Sequence, residues 1–190
     1  LMMIFVVYPI FLKIFTRVKY SRFARKISPV QLLAFSTSSS AATLPLTMET
    51  AEEKLGINNE TSSFVLPLGA TINMDGTSLY QAVAAVFLAQ VYGMDLGLSE
   101  QLTIILTATL ASIGSAAVPG AGMVMLIIVL TSVGIPTEGI ALIFAVDRPL
   151  DMLRTSVNVT GDLTITSIIA GSENQIDLNI ANSEEILGNH

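Results

Sequence analysis

Gly69-Ala70-Thr71-Ile72-Asn73-Met74-Asp75-Gly76-Thr77 lies between two apolar runs, 64–68 and 79–91. Together they make one hydrophobic segment of about membrane length, roughly 20 residues or more. An Asn, an Asp, Thr and Gly residues in its middle are costly in hydrocarbon. Ionisable groups at that depth face a protein cavity and serve transport or binding. Glycines on either side of a polar centre predict a broken helix, whose freed carbonyls can hold a cation. A soluble helix with a polar kink is the competing reading, and the same layout recurring elsewhere in the chain argues against it.

Composition points the same way. Of 190 residues, 52% are hydrophobic and only 13% are charged, and the mean hydropathy is +0.68. That is too apolar for an ordinary soluble domain and indicates a membrane protein. Cysteine is absent, and the only histidine is the last residue, His190. Neither thiol chemistry nor an imidazole-based metal site or triad is available. An intramembrane enzyme using Ser39 or Ser115 as nucleophile would lack a base, since the only nearby lysine is Lys54. The sequence is therefore read as a non-enzyme.

The net charge of −6 conceals segregation. Lys13, Arg17, Lys19, Arg22, Arg25 and Lys26 follow an opening apolar run, and no acid precedes Glu49. Such a cluster beside a span is placed in the cytoplasm by the positive-inside rule. It flanks hydrophobic segments, so no nucleic-acid partner is expected. The chain begins at Leu1 without a signal peptide's basic region and cleavage site, and is read as a fragment whose earlier part is missing.

In order, 1–27 is the end of a membrane helix and a basic loop. Residues 28–56 are two short arms around the break Ser36-Thr37-Ser38-Ser39-Ser40-Ala41-Ala42-Thr43-Leu44-Pro45, with Ser28-Pro29 opening the first arm and the second running from about Leu44 to Leu55, closed by Gly56. Neither arm is long enough to span, which predicts a re-entrant hairpin with a polar tip. The broken segment, 62–93, follows. Residues 99–134, with Ser99 as cap, repeat the short arm, small-residue tip and short arm around Gly114 and Val118-Pro119-Gly120-Ala121-Gly122. Two interrupted segments in comparable positions are the sequence pointer to a transporter's binding site. No Gly-Lys-Ser/Thr follows, so Gly120-Ala121-Gly122 is no phosphate loop.

In 137–171, Asp147, Asp151, Arg154, Thr155, Asn158 and Asp162 recur at spacings of three or four, along one face of a helix. A membrane helix with such a stripe turns it inward. An ion-pair ladder would account for Asp147, Asp151 and Arg154 but not for the rest. Residues 172–190 are expected to be an acidic, mobile tail. The fold class is thus an all-α membrane protein: two re-entrant helical hairpins, a broken transmembrane helix and an amphipathic final transmembrane helix.

These motifs resemble the C-terminal half of the dicarboxylate/amino acid:cation symporters, which include glutamate and aspartate transporters. The resemblance is carried by Ser38-Ser39-Ser40 with Thr43-Leu44-Pro45, by Asn73-Met74-Asp75-Gly76-Thr77, by Val118 to Gly122, and by Asp151 through Arg154-Thr155 to Asn158-Val159-Thr160-Gly161-Asp162. It implies the transport-domain core of an elevator transporter, assembled as a homotrimer in the inner or plasma membrane bilayer, with the scaffold half absent here. It implies sodium-coupled symport of an acidic amino acid, L-aspartate or L-glutamate. Arg154 would take the substrate side-chain carboxylate and Asp151 its ammonium. Asn158, Thr155 and Thr77 would complete the polar contacts, with Ser40, Val118 and Gly122 at the tips. For co-transported Na+, Asp162, Asn158, Asn73 and the Gly69 carbonyl match one site. Thr71 with the carbonyls of Ser112, Ile113 and Ser115 matches a second, and Asp75 with Asn73 matches part of a third.

The chain departs from the family where many members carry a further serine (Ala41 here) or a further arginine (Ser38 or Met152 here), and Arg148 is an unusual neighbour to Asp147. Asp151 would be a liability to a carrier of dicarboxylates lacking an amine, and a neutral amino-acid carrier does not need a buried Arg154. Proton coupling through Asp75 and Asp162, and a substrate-gated anion channel or sensor on the same scaffold, stay open at this stage.

Overall fold

The computed structural model describes residues 1–184. Among these, regular structure is helical apart from one isolated bridge pairing Ile57 with Ile176. A π-helical turn, Met3–Val7, leads into α1, Tyr8–Phe15. Next come α2, Tyr20–Thr37, and α3, Ser40–Glu49, which packs on α2 and continues through the π-turn Thr50–Lys54. Then follow α4, Asn59–Ile72; α5, Asp75–Val91; α6, Leu98–Ile113; and α7, Ala121–Ser132. A short 3-10 turn, Thr137–Gly139, precedes α8, Ile140–Ser172, and α9 is Leu178–Asn182.

The breaks fall where side chains and backbone conformation stop a helix. Ser38 takes a left-handed conformation, φ 52°, and Ser39 then caps α3 by accepting from the Ala42 N–H at 3.1 Å. Asn73 and Met74 leave the helical region at ψ 73° and 58°, separating α4 from α5 within the apolar segment. Gly120, at φ 79°, supplies the left-handed residue that opens α7.

Two apolar cores form along α8. One includes Leu12, Phe23, Ile27, Leu55, Leu66 and Leu163. The other joins α5, α6 and α7 through Leu88, Ile104, Leu126 and Leu130, with Ile143 of α8. Residues 154–164 of α8 are buried on every side, so its middle is the axis on which both helix pairs and the broken helix converge.

Three sequence expectations are corrected. Helix α2 starts at Tyr20, not at Ser28, and Pro29 lies inside it. Proline cannot donate to the carbonyl four residues back, and the Ser28 hydroxyl donates to that Arg25 carbonyl at 2.8 Å instead. Helix α6 begins at Leu98 with Gly97 at the cap, not at Ser99; the Gly97 carbonyl already accepts from Gln101 N–H, at 3.1 Å. The segment 173–184 is docked, not mobile. The Asn58 N–H donates to the Gln175 carbonyl at 2.9 Å, and the Asp177 N–H to the Gly56 carbonyl at 2.8 Å. Residues 185–190 of the expected tail, with His190, lie outside the described residues.

No helix among the described residues is long and apolar enough to cross a membrane. The reason is visible in the two candidates. The apolar segment is divided at Asn73, and α8, about 50 Å long at 1.5 Å per residue, carries Asp147, Arg148, Asp151, Arg154 and Asp162. Large apolar side chains nevertheless face outward on α4, α6 and α8, with Phe64 and Phe144 each 71% exposed and Leu106 61%. Apolar surface spread over several helices marks contact with lipid or with other protein segments.

Candidate functional site

The ends of broken helices meet at the middle of α8. The N-termini of α3 (Ser40), α5 (Thr77) and α7 (Gly122) lie around a cavity of about 20 Å³, walled on its remaining side by Asp151, Thr155 and Asn158. A helix N-terminus presents unpaired N–H groups and the positive end of a dipole. Three of them around one space favour an anion, and α8 supplies the side chains that select it.

Arg154 is 5% exposed. Its Nη2 donates to Asp151 Oδ1 at 2.8 Å, and its Nη1 lies 3.1 Å from Asp147 Oδ1. The guanidinium stacks 3.9 Å from the centroid of the Tyr80 ring, and the Tyr80 hydroxyl donates to Asp147 at 3.0 Å. The ion-pair ladder weighed from sequence is therefore present. It does not satisfy the cation fully, because Nε has no hydrogen-bond acceptor and Nη1 meets Asp147 only as an ion pair. A buried guanidinium with donors to spare is prepared for a further carboxylate.

The two tips touch. The Ser39 hydroxyl donates to the Ala117 carbonyl at 2.7 Å, and the Ala41 N–H reaches the same carbonyl at 3.4 Å. The Gly120 N–H donates to Asp151 Oδ2 at 2.9 Å. Gly122 packs closely in this closure: a Cβ there would stand 3.1 Å from Thr77 Cγ2 and 3.6 Å from Arg154 Cζ. The remaining cavity has room for about one water, so the tip 114–120 lies closed over the site.

A second polar centre lies where α4 ends. Asn73 Nδ2 donates to Asp162 Oδ1 at 2.9 Å, and Gly69 packs so closely that a Cβ would come within 2.8 Å of that oxygen. Asp75 accepts from the Tyr8 hydroxyl at 3.0 Å. Gly161 lets Asp75 and Asn73 approach α8 closely, for a Cβ there would be 3.0 Å from Asp75 Oδ2 and 3.1 Å from Asn73 Nδ2. Neither carboxylate has a basic partner among the described residues. A buried carboxylate without a cation carries a large desolvation cost, so this centre requires a cation or a proton. Among the described residues no three Asp, Glu, His or Cys side chains converge. Carboxylate, amide and carbonyl oxygens are donors that suit a hard cation.

Of the sequence candidates, Ser40, Thr77, Val118, Gly122, Asp151, Thr155 and Asn158 line the small cavity together with Ser115, and Arg154 adjoins it through Gly122. Asn158 ties α8 to the start of α5. Its Oδ1 accepts from the Gly76 N–H at 2.8 Å, which fixes the amide's orientation, and its Nδ2 donates to Thr77 at 3.1 Å. Gly69, Asn73, Asp75 and Asp162 form the second centre. Thr71, Ser112 and Ile113 are not joined by any bond: the Thr71 hydroxyl donates to Leu68 in its own helix at 2.8 Å, and Ile113 is exposed. Tyr8, Tyr80 and Gln81 were not anticipated. Gln81 is fully buried and donates to the Gly122 carbonyl at 3.0 Å. Each looked like part of an apolar run, and only a lone polar group within it signalled otherwise.

The sodium:dicarboxylate symporter family profile matches residues 1–172. The chain belongs to the sodium:dicarboxylate symporter family. Excitatory amino acid transporter 3 of Mus musculus is 52% identical over 164 residues, 86% of this chain and 31% of that protein. Excitatory amino acid transporter 2 of Homo sapiens is 51% identical over 154 residues, 81% of this chain and 27% of that protein. A Caenorhabditis elegans excitatory amino acid transporter is 52% identical over 147 residues, 77% of this chain and 29% of that protein. The chain thus spans about a third of the length of the symporter-family relatives it matches.

Proposed function

We propose that this chain is the substrate- and ion-binding core of a sodium-coupled symporter of acidic amino acids, embedded in a bilayer and working as one of three elevator-like transport domains in a homotrimer. The observation that carries this reading is the buried pair of Arg154 and Asp151, 2.8 Å apart beneath both helical tips. An acidic amino acid offers the complement of each. Its side-chain carboxylate takes the Arg154 fork, including the donors left without acceptors, and its ammonium takes Asp151. Binding exchanges one set of buried charge pairs for another, so little extra desolvation is incurred.

Thr77, Thr155 and Asn158 then receive the main-chain carboxylate, assisted by the N-termini of α3, α5 and α7, with Ser40, Val118 and Gly122 closing over it. To admit substrate, the tip 114–120 must release Asp151 and the first tip, which makes it the gate. Sodium neutralises Asp162 and Asp75 with help from Asn73, Asn158 and the Gly69 carbonyl. Thr71 joins the carbonyls of Ser112, Ile113 and Ser115 for another ion once the second tip rearranges. Asn158 belongs to both proposed ligand sets, which supplies the coupling between ion and substrate. The names of the relatives, as excitatory amino acid transporters, agree with this substrate class.

The test is uptake of labelled L-aspartate by proteoliposomes of the whole protein that carries this chain, with and without an inward sodium gradient. Accumulation against a gradient that requires sodium is expected. Uptake driven by a proton gradient alone would overturn the ion assignment, and equilibration without accumulation would favour a channel.

A further inference from the structure

The basic cluster at the end of α1 takes no part in the site above. Helix α1 buries Tyr8 and Leu12 and turns Phe11, Ile14 and Phe15 outward. Lys13, Arg17 and Lys19 are exposed at the end of this apolar face, and none of them is ion-paired among the described residues. Beside them runs a groove of about 570 Å³ between the end of α1 and the junction of α8 with α9. Ile14, Phe15, Ile176 and Leu178 give it apolar walls, and Arg17 stands at its lining.

The loop that carries the charges is held in place. Thr16 Oγ1 accepts from the Val18 N–H at 3.1 Å. Asn182 of α9 spans the loop, accepting from the Lys19 N–H at 2.8 Å and donating to the Arg17 carbonyl at 3.2 Å. Of the nearby acids, Asp177 caps α9, and Glu184 pairs with Arg22. Capping leaves Asp177 charged, so with Glu173 at the end of α8 two acids are set against Lys13, Arg17 and Lys19, and one positive charge is left in excess among the described residues.

We propose that this groove binds an anionic phospholipid, its headgroup phosphate on Arg17 and Lys19 and its acyl chain along Phe15, Ile14 and Leu178. The charge excess selects an anion, and the continuity of the apolar wall with the outward face of α1 selects one that carries a hydrocarbon chain. A second copy of the chain would bring the same positive charge and is disfavoured. The proposal rests on the membrane placement above and goes beyond transport, assigning a lipid site at the membrane–water boundary of the moving core.

The experiment uses the whole protein carrying this chain, in phosphatidylcholine vesicles containing a trace of photoactivatable phosphatidylglycerol, with the labelled peptides mapped by mass spectrometry. Labelling of residues 14–17 and 176–178 is expected, competed by unlabelled phosphatidylglycerol and not by phosphatidylcholine. Arg17→Gln should reduce capture roughly fivefold, as one lost interfacial charge implies, while Arg17→Lys should retain it. Equal capture of a phosphatidylcholine probe, competition by inorganic phosphate, or unchanged capture in Arg17→Gln would each overturn the lipid site. An alkaline carbonate wash separates the premises. Protein retained in the membrane but unlabelled overturns the lipid site alone, whereas protein released by the wash overturns the membrane placement and the lipid site with it.

Discussion

The backbone N–H of Gly120 donates to Asp151 Oδ2 at 2.9 Å, so the second tip is fastened to the carboxylate that also pairs with Arg154. One oxygen of Asp151 thus holds the gate and the other holds the guanidinium. A substrate ammonium arriving at Asp151 competes for both, which links recognition of the amine to release of the tip.

Asp151→Asn keeps an acceptor for Gly120 but removes the negative charge. Affinity for L-aspartate should fall by about 2 kcal/mol or more, roughly thirtyfold. Succinate, which has no ammonium, should lose much less. Competition against labelled aspartate measures both, and an equal loss for the two ligands would remove Asp151 from amine recognition.

Arg154→Thr should abolish binding of acidic substrates and admit neutral amino acids to the same cavity. It also strands Asp147 and Asp151 without their buried cation, at a cost of about 3–5 kcal/mol. The double variant with Asp147→Asn should recover much of that stability and none of the acidic-substrate binding. Thermal unfolding in detergent and uptake of labelled aspartate and serine separate the two effects. Aspartate affinity unchanged in Arg154→Thr would end the proposed role.

Asp162→Asn should move the sodium dependence of substrate binding to higher concentration by roughly tenfold or more, as loss of a charged ligand implies. Gly161→Ala tests the same centre without deleting a ligand, because its Cβ would stand 2.8 Å from the Tyr8 hydroxyl and 3.0 Å from Asp75 Oδ2. Its sodium titration should shift in the same direction. A sodium titration unaltered in both variants would place the cation elsewhere.

Much of this arrangement was legible in sequence because the costs are local. Polar residues inside apolar segments, as at Asn73 and along Asp151 to Asp162, have few solutions in a membrane core, and both ended on inward faces. The hydroxyl-rich break was placed too wide, from Ser36 to Pro45: the chain turns at Ser38 and Ser39, and α3 starts at Ser40 and runs through Pro45. What was not legible depended on distant partners. Tyr8 meets Asp75 across 67 positions of chain, and nothing in an aromatic-rich opening helix singles it out. Pro29 looked like a helix start, because the compensating bond from Ser28 to Arg25 cannot be read from spacing. The segment 173–184 looked mobile because its anchors, such as Lys26 and Gly56, lie more than a hundred residues away.

That anchoring can be tested at Lys26, which is 2% exposed and donates to the Lys54 carbonyl at 2.9 Å and to Ser183 Oγ at 3.0 Å. It also donates to the Ile180 carbonyl in α9. Lys26→Met keeps the apolar stem and removes the donors, leaving buried carbonyls unpaired at a cost of about 1–3 kcal/mol. Amide exchange in 175–183 should accelerate while that of 154–164 is unchanged. Equal acceleration in both segments would mean that Lys26 supports the whole core and not the strap.

Two glycines that face Arg154, one in α5 and one in α7, should respond differently to the same substitution. At Gly76 a Cβ would lie 2.7 Å from the Arg154 carbonyl oxygen. Backbone cannot yield there, so α5 must move off α8, and Gly76→Ala should cost about 1–3 kcal/mol of stability. At Gly122 the nearest atom is the Thr77 methyl at 3.1 Å, a side-chain end that can shift. Alanine is also the better helix former by roughly 0.5–1 kcal/mol, so Gly122→Ala should leave the melting temperature unchanged or raised. Its methyl group nevertheless enters the space beside Arg154 that a substrate carboxylate must occupy, and aspartate affinity should fall. Melting temperature and aspartate Kd measured on both variants decide the matter. Full affinity in Gly122→Ala would mean that the second tip swings clear of Arg154 when substrate is bound, and that closure over the ligand is made by residues other than Gly122.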